Sequence, residues 1–198
     1  MKALILIDIQ RDFLPGGSLA VADGDAVVAV ANELSENYPL VIATQDWHPG
    51  DHRSFASQHA GRSPGDVIDL DGLDQVLWPD HCVQGSAGAG FADGLDLRAV
   101  DHVVRKGTDR NVDSYSGFFD NARRRATGLE ELLHGLEVTD VDLLGLATDY
   151  CVQFSALDAA DLGFRTAVVA DGCRAVDLEP GDGDRAFDNL RSAGVTVR

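Results

Sequence analysis

The sequence predicts an α/β fold, a three-layer α/β/α sandwich around a mostly parallel six-stranded sheet. Two observations lead there. Short apolar runs of strand length alternate along the chain with longer segments whose apolar residues recur at helical spacing. At 198 residues, with neither an internal repeat nor a low-complexity segment, the chain has room for one domain with a real core, expected to span residues 1–198.

The elements follow in order. KALILIDI (2–9) reads as a buried strand and DAVVAVANELSENY (25–38) as a helix. PLVIATQD (39–46) is the second strand, followed by a loop-rich insert from about His48 to Leu97, punctuated by Gly and Pro. AVDHVVRKG (99–107) is a strand and TGLEELLHGLEV (127–138) a short amphipathic helix. VDLLGLA (141–147) is a strand, and DYCVQFSALDAADLG (149–163) a helix ending at Gly163. FRTAVVAD (164–171), GDRAFDNLRSAG (183–194) and VTVR (195–198) complete the pattern as strand, helix and strand. Connections in such a fold are right-handed crossovers, and ligands bind beyond the carboxyl ends of the strands.

Composition excludes several function classes. Thirty-three acids against 16 Lys and Arg give a net charge of −17, which repels phosphate backbones and disfavours nucleic-acid and anionic-membrane partners. No apolar run approaches the roughly 20 residues that span a bilayer. The apolar start, Ala3 to Ile7, is shorter than a signal-peptide core of about 7–15 residues, so a cytoplasmic protein is expected. Three cysteines without a CxxC pair do not form a disulfide framework, and at least one thiol is free. Of the bases, 14 are Arg and only two are Lys, at positions 2 and 106, so Lys106 stands out.

Four strands end in polar residues: Asp8 and Gln10, Asp46, Lys106, and the Thr148–Asp149–Cys151 turn. Parallel strands would gather these on one edge of the sheet. Taken alone, Asp8 is an ordinary turn-capping acid. Beside a carboxylate and a thiol, the Lys106 ammonium would stabilise both anions. Thr148 or Asp149 is a good helix N-cap, which puts Cys151 in a first helical turn, where a thiol's pKa falls and outward N–H groups can hold an oxyanion. Cys82 and Cys173 lack that context and read as small buried hydrophobes.

The stretch DWHPGDH places Asp46, His48 and His52 in a loop rather than on an HExxH helix. One oxygen and two nitrogens suit Zn²⁺, or Fe²⁺ and Mn²⁺, and His81 in WPDHC is the obvious recruit. His59, His102 and His134 receive no role. Phe13, Trp78 and Tyr115 lie in three separate loops, where they could pack those loops or stack on a flat aromatic ligand.

With these residues in view, the chain resembles the nicotinamidases, or pyrazinamidases, of the isochorismatase-like hydrolase superfamily, a Rossmann-like fold. The resemblance rests on DIQRDFLPGGSLAV (8–21), ATQDWHPGDHRSFAS (43–57), WPDHCVQGS (78–86), RKGTDRNVDSYSGFFDN (105–121), GLATDYCVQFSALDA (145–159) and DGCRAV (171–176). It implies a catalytic triad of Cys151, Asp8 and Lys106, and a cis peptide between Leu146 and Ala147. It also implies an oxyanion hole from the Ala147 and Cys151 amides. Asp46, His48 and His81 would be ligands of one divalent metal, zinc in first place, with His52 a fourth that water can replace. Phe13 and Trp78 would sandwich the pyridine ring of nicotinamide and Tyr115 line its pocket, in an enzyme of NAD recycling. The resemblance leaves oligomeric state open. A cysteine amidohydrolase for N-carbamoyl or ureido substrates, an isochorismatase and a non-catalytic metal-binding module are the rivals. The metal set disfavours the first, Cys151 the second, and the joint presence of Asp8, Lys106 and Cys151 the third.

The scattered acids, 27 of them Asp, lead to the hypothesis of adaptation to high salt, where screening removes self-repulsion. The melting temperature should then rise between low salt and molar KCl, and a flat or falling thermal profile would count against the idea.

Overall fold

The computed structural model describes residues 1–198, and its main sheet has six strands with every pairing parallel. In chain order the elements are β1 (Lys2–Ile7), α1 (Ala26–Ser35), β2 (Val41–Asp46), β3 (Val67–Leu70), β4 (Leu73–Val76) and β5 (His102–Lys106). They continue with α2 (Leu129–Gly135), β6 (Asp140–Leu146), α3 (Gln153–Asp161), β7 (Arg165–Arg174), α4 (Asp182–Ser192) and β8 (Thr196–Val197). The strand order is β5-β2-β1-β6-β7-β8.

β1, β2 and β6 are buried along nearly their whole length, because helices cover both sheet faces. From β1 the chain moves through α1 to β2 in one direction along the sheet. From β6 it moves through α3, β7 and α4 to β8 in the other. Right-handed crossovers therefore put α1 on one face and α3 with α4 on the opposite one. α1 buries Val27, Ala31 and Ser35, a stripe at four-residue spacing whose small members let the helix approach the sheet closely. No helix is long and apolar enough to cross a membrane.

The order reverses between β1 and β6, so a crevice opens at their carboxyl ends. The two backbones approach closely there. Gly145 has φ +133°, and a Cβ on it would lie 2.1 Å from the Ile7 carbonyl oxygen. Only glycine fits both the conformation and the contact.

Three details differ from the sequence-based expectation. The main sheet is wholly rather than mostly parallel. Within the long insert, β3 and β4 form an antiparallel hairpin that the sequence reading left as loop. The helix expected over 149–163 begins as a π-helical turn, Thr148–Val152, closed by Val152 N–H donating to Ala147 O at 3.1 Å.

Replacing Gly145 with alanine should cost at least about 2 kcal/mol through backbone strain and overpacking, read from the midpoint of denaturant unfolding.

Candidate active site

The site is built where β1, β2, β5 and β6 end. Register aligns Leu6 with Ala43 and Asp46 with Lys106, which brings the residues that follow β1 beside the ends of β2 and β5. Asp8 leaves β1 with φ +47° and is fully buried. Its N–H donates to Thr44 Oγ1 at 3.1 Å, and that hydroxyl donates back to Asp8 Oδ1 at 2.7 Å. One threonine thus fixes both the backbone and the carboxylate of Asp8.

Lys106 is buried with its ammonium among anions. Nζ donates to Asp46 Oδ1 at 3.0 Å, to Ser114 O at 2.8 Å and to Cys151 Sγ at 3.4 Å. Asp8 Oδ2 lies 2.9 Å from the same nitrogen, yet it receives no hydrogen bond of good direction. The contact is therefore ionic, and the oxygen keeps a lone pair able to take a proton.

The titration behaviour follows from burial. Burial raises the Asp8 pKa, and Lys106 offsets only part of that rise. Burial works to lower the Lys106 pKa, but Asp46, Asp8 and Cys151 push it well above its ordinary value, so it stays charged. Burial and the two carboxylates push the Cys151 thiol well up against the pull of Lys106. This corrects the expectation of a lowered thiol pKa: in the resting site Cys151 holds its proton. The expected N-cap fails too, since neither Thr148 nor Asp149 caps the turn. Asp149 instead accepts the N–H groups of Val176 and Asp177, both at 2.9 Å, and ties the turn to the segment after β7.

Gln10 stitches the neighbouring loops together. Its side chain accepts from Asp46 N–H at 2.8 Å and donates to Asp46 O and Ala89 O, both at 2.9 Å. His48 N–H donates to Cys82 O and Gln84 N–H to His48 O, a short parallel pairing that carries the adjacent His81 to the DWHPGDH loop. A similar exchange with Ser54 and Ala56 places Trp78.

Asp46, His48 and His81 offer three ligand atoms within 4.8 Å of one another. His48 Nδ1 lies 2.9 Å from Gly107 O and His81 Nδ1 2.8 Å from Pro79 O. A carbonyl only accepts, so both Nδ1 atoms carry a proton and both Nε2 atoms are left to face Asp46. The two Nε2 atoms lie 3.0 Å (His48) and 3.6 Å (His81) from Asp46 Oδ2; burial works to lower the His48 pKa, but Asp46 raises it. Two ring nitrogens gathered around one carboxylate oxygen attract a cation, and the donor set fits a divalent metal. Although burial opposes ionisation, His48 and Lys106 hold Asp46 well below the usual carboxylate range. His52 is drawn into a second group with His48 and Asp113, also within 4.8 Å.

Phe13, Asp46, Trp78, Tyr115, Ala147 and Cys151 line one small, mainly apolar cavity. Trp78 Nε1 donates to Tyr115 OH at 3.3 Å, and Tyr150 meets the Trp78 ring edge-on at 4.8 Å between centroids. The Leu146–Ala147 peptide is cis. The sequence reading had missed Thr44, Asp113, Ser114 and Tyr150, and it had seen Gln10 only as a polar strand end.

Fold and site together define an α/β protein with a buried thiol, carboxylate and ammonium at the switch point of a parallel sheet, beside a metal-type donor set. The isochorismatase domain family matches residues 2–198, and the chain belongs to that family. It is 49% identical over 200 residues to a nicotinamidase of Escherichia coli (strain K12), covering 99% of this chain and 93% of that protein. The structure of an Acinetobacter baumanii nicotinamidase/pyrazinamidase superposes with a TM-score of 0.96 at 41% identity, covering 99% and 94% of the two chains. A pyrazinamidase of Pyrococcus horikoshii in complex with zinc gives 0.80 at 35% identity, covering 100% and 98%.

Gly107 follows Lys106 with φ +63°, and a Cβ there would lie 2.4 Å from His48 Cε1 and 2.9 Å from Asp46 Oδ1. The Gly107→Ala variant should therefore bind a divalent ion roughly 10–100-fold more weakly, read by competition with a chromophoric chelator.

Proposed function

We propose that the protein is a nicotinamidase that hydrolyses nicotinamide to nicotinate and ammonia and also acts on pyrazinamide. The carrying observation is the Lys106 ammonium, 3.4 Å from Cys151 Sγ and 2.9 Å from Asp8 Oδ2, where Cys151 lines a cavity walled by Phe13, Trp78, Tyr115 and Tyr150. The full-length likeness to nicotinamidases supports the same reading.

In this reading Phe13, Trp78 and Tyr115 hold the pyridine ring. Asp46, His48 and His81, with His52, hold one divalent ion, zinc in first place. When bound, that ion supplies a Lewis acid that anchors the ring nitrogen and draws electron density from the ring. Asp8 Oδ2 takes the Cys151 proton, and the thiolate forms a bond to the carboxamide carbon. The carbonyl oxygen becomes an oxyanion facing the Ala147 and Cys151 N–H groups. Asp8 returns its proton to the amide nitrogen, the C–N bond breaks, and ammonia leaves a thioester on Cys151. Asp8 then takes a proton from water, whose oxygen attacks the thioester carbon. The C–S bond breaks, the proton on Asp8 returns to the Cys151 sulfur, and the acid formed leaves as nicotinate after giving its remaining proton to water or to the released ammonia. Lys106 keeps its charge throughout and balances whichever partner is anionic. General acid–base help contributes roughly 10²–10⁴-fold and the oxyanion donors a similar factor.

The test is ammonia release from nicotinamide and pyrazinamide. The wild-type protein should release it from both. The Cys151→Ala variant should release none while still binding nicotinamide in a calorimetric titration, and turnover by that variant would overturn the covalent route.

A further inference from the structure

We infer that Asp113 belongs to the metal centre, supplying from the His52 side the second carboxylate that neutralises a bound dication. The inference rests on the metal site proposed above and adds a residue to it. Asp113 lies seven residues beyond Lys106 and directly before Ser114, in the loop that leaves β5, and is 3% exposed. Its Oδ1 accepts only the N–H of the adjacent Ser114, at 2.8 Å, and its Oδ2 only Gln75 Nε2, at a long 3.2 Å. Two amide donors do not require a full charge; a neutral asparagine oxygen would accept from either of them. A buried carboxylate so thinly compensated is costly unless a cation joins it.

Two further observations say where that cation lies. Ligand atoms of His48, His52 and Asp113 come within 4.8 Å of one another, and His48 is shared with the Asp46–His81 group. His52 Nε2 is fully buried in this cluster and has no hydrogen-bond partner, while its Nδ1 is engaged at 2.7 Å by Ser54 Oγ. Asp46 and Asp113 are the buried carboxylates of the two overlapping donor groups, one on each side of the shared His48. Asp12, the remaining acid nearby, is already engaged by the Ser18 N–H and hydroxyl and the Cys82 N–H.

The test uses the full-length protein, stripped of metal and titrated with Zn²⁺ against a chromophoric chelator, with melting temperatures of the metal-free and Zn²⁺-loaded forms. The Asp113→Asn variant keeps side-chain volume and one oxygen acceptor, enough for the Ser114 N–H, and replaces the acceptor of the long Gln75 bond with an NH2 group. It should bind Zn²⁺ at least about tenfold more weakly. Its metal-free form should melt no lower than the metal-free wild type, because a buried charge has been removed. Should the metal-free variant melt lower, Asp113→Glu decides: recovered Zn²⁺ affinity supports the inference, and equal weakness overturns it. Zn²⁺ affinity of Asp113→Asn within threefold of wild type overturns it outright while leaving the metal site itself standing. A wild-type protein that binds no Zn²⁺ overturns both.

Discussion

One buried ammonium organises the site. Lys106 has no contact with bulk water, so its charge survives only because Asp46, Asp8 and the Ser114 carbonyl surround it. The dependence is mutual, since two carboxylates this close would otherwise repel in a medium of low polarity. The sheet makes the arrangement possible. Parallel pairing sets Asp46 beside Lys106 in register, and the reversal of strand order between β1 and β6 leaves room for Asp8 and Cys151 at the same edge. The loop after β5 is drawn in as well, because Ser114 offers its carbonyl to the ammonium.

The same burial decides where protons rest. The pKa values of Asp8 and Cys151 are both raised by burial, so the two acids compete for a proton beside Lys106. A carboxylate so raised is better matched to exchanging a proton with a thiol than an ordinary solvated acid. Asp46, two residues from His48 and facing it, is pushed the other way. Two acids on adjacent strands thus acquire opposite characters from their surroundings, one suited to proton transfer and one to holding a cation.

The sheet and its helices were legible because long apolar runs and helical spacing survive without tertiary context. The β3–β4 hairpin was not, since its strands are four residues each and bury only Leu70 and Gln75. Its signal was nonetheless present: Asp71 and Gly72 both have positive φ, the demand that a tight Asp-Gly hairpin turn makes. Asp113 was invisible for another reason. With 27 aspartates in the chain, one more in a loop carries no weight until its burial is known. The thiol's proton affinity was misjudged because a helix-start argument cannot see desolvation. Asp149, read as a cap, proved to serve a distant segment, which no local pattern records.

The groups that hold the charged residues in place are mostly uncharged. Thr44 grips Asp8 through a hydroxyl, Gln10 grips Asp46 through an amide, and carbonyl oxygens of Gly107 and Pro79 orient His48 and His81. None of these partners titrates in the physiological range. A proton can therefore move between Asp8 and Cys151 without dissolving the framework that spaces them. In the proposed mechanism the scaffold is an insulator: charge would circulate within it, while the positions of the atoms that carry the charge stay fixed.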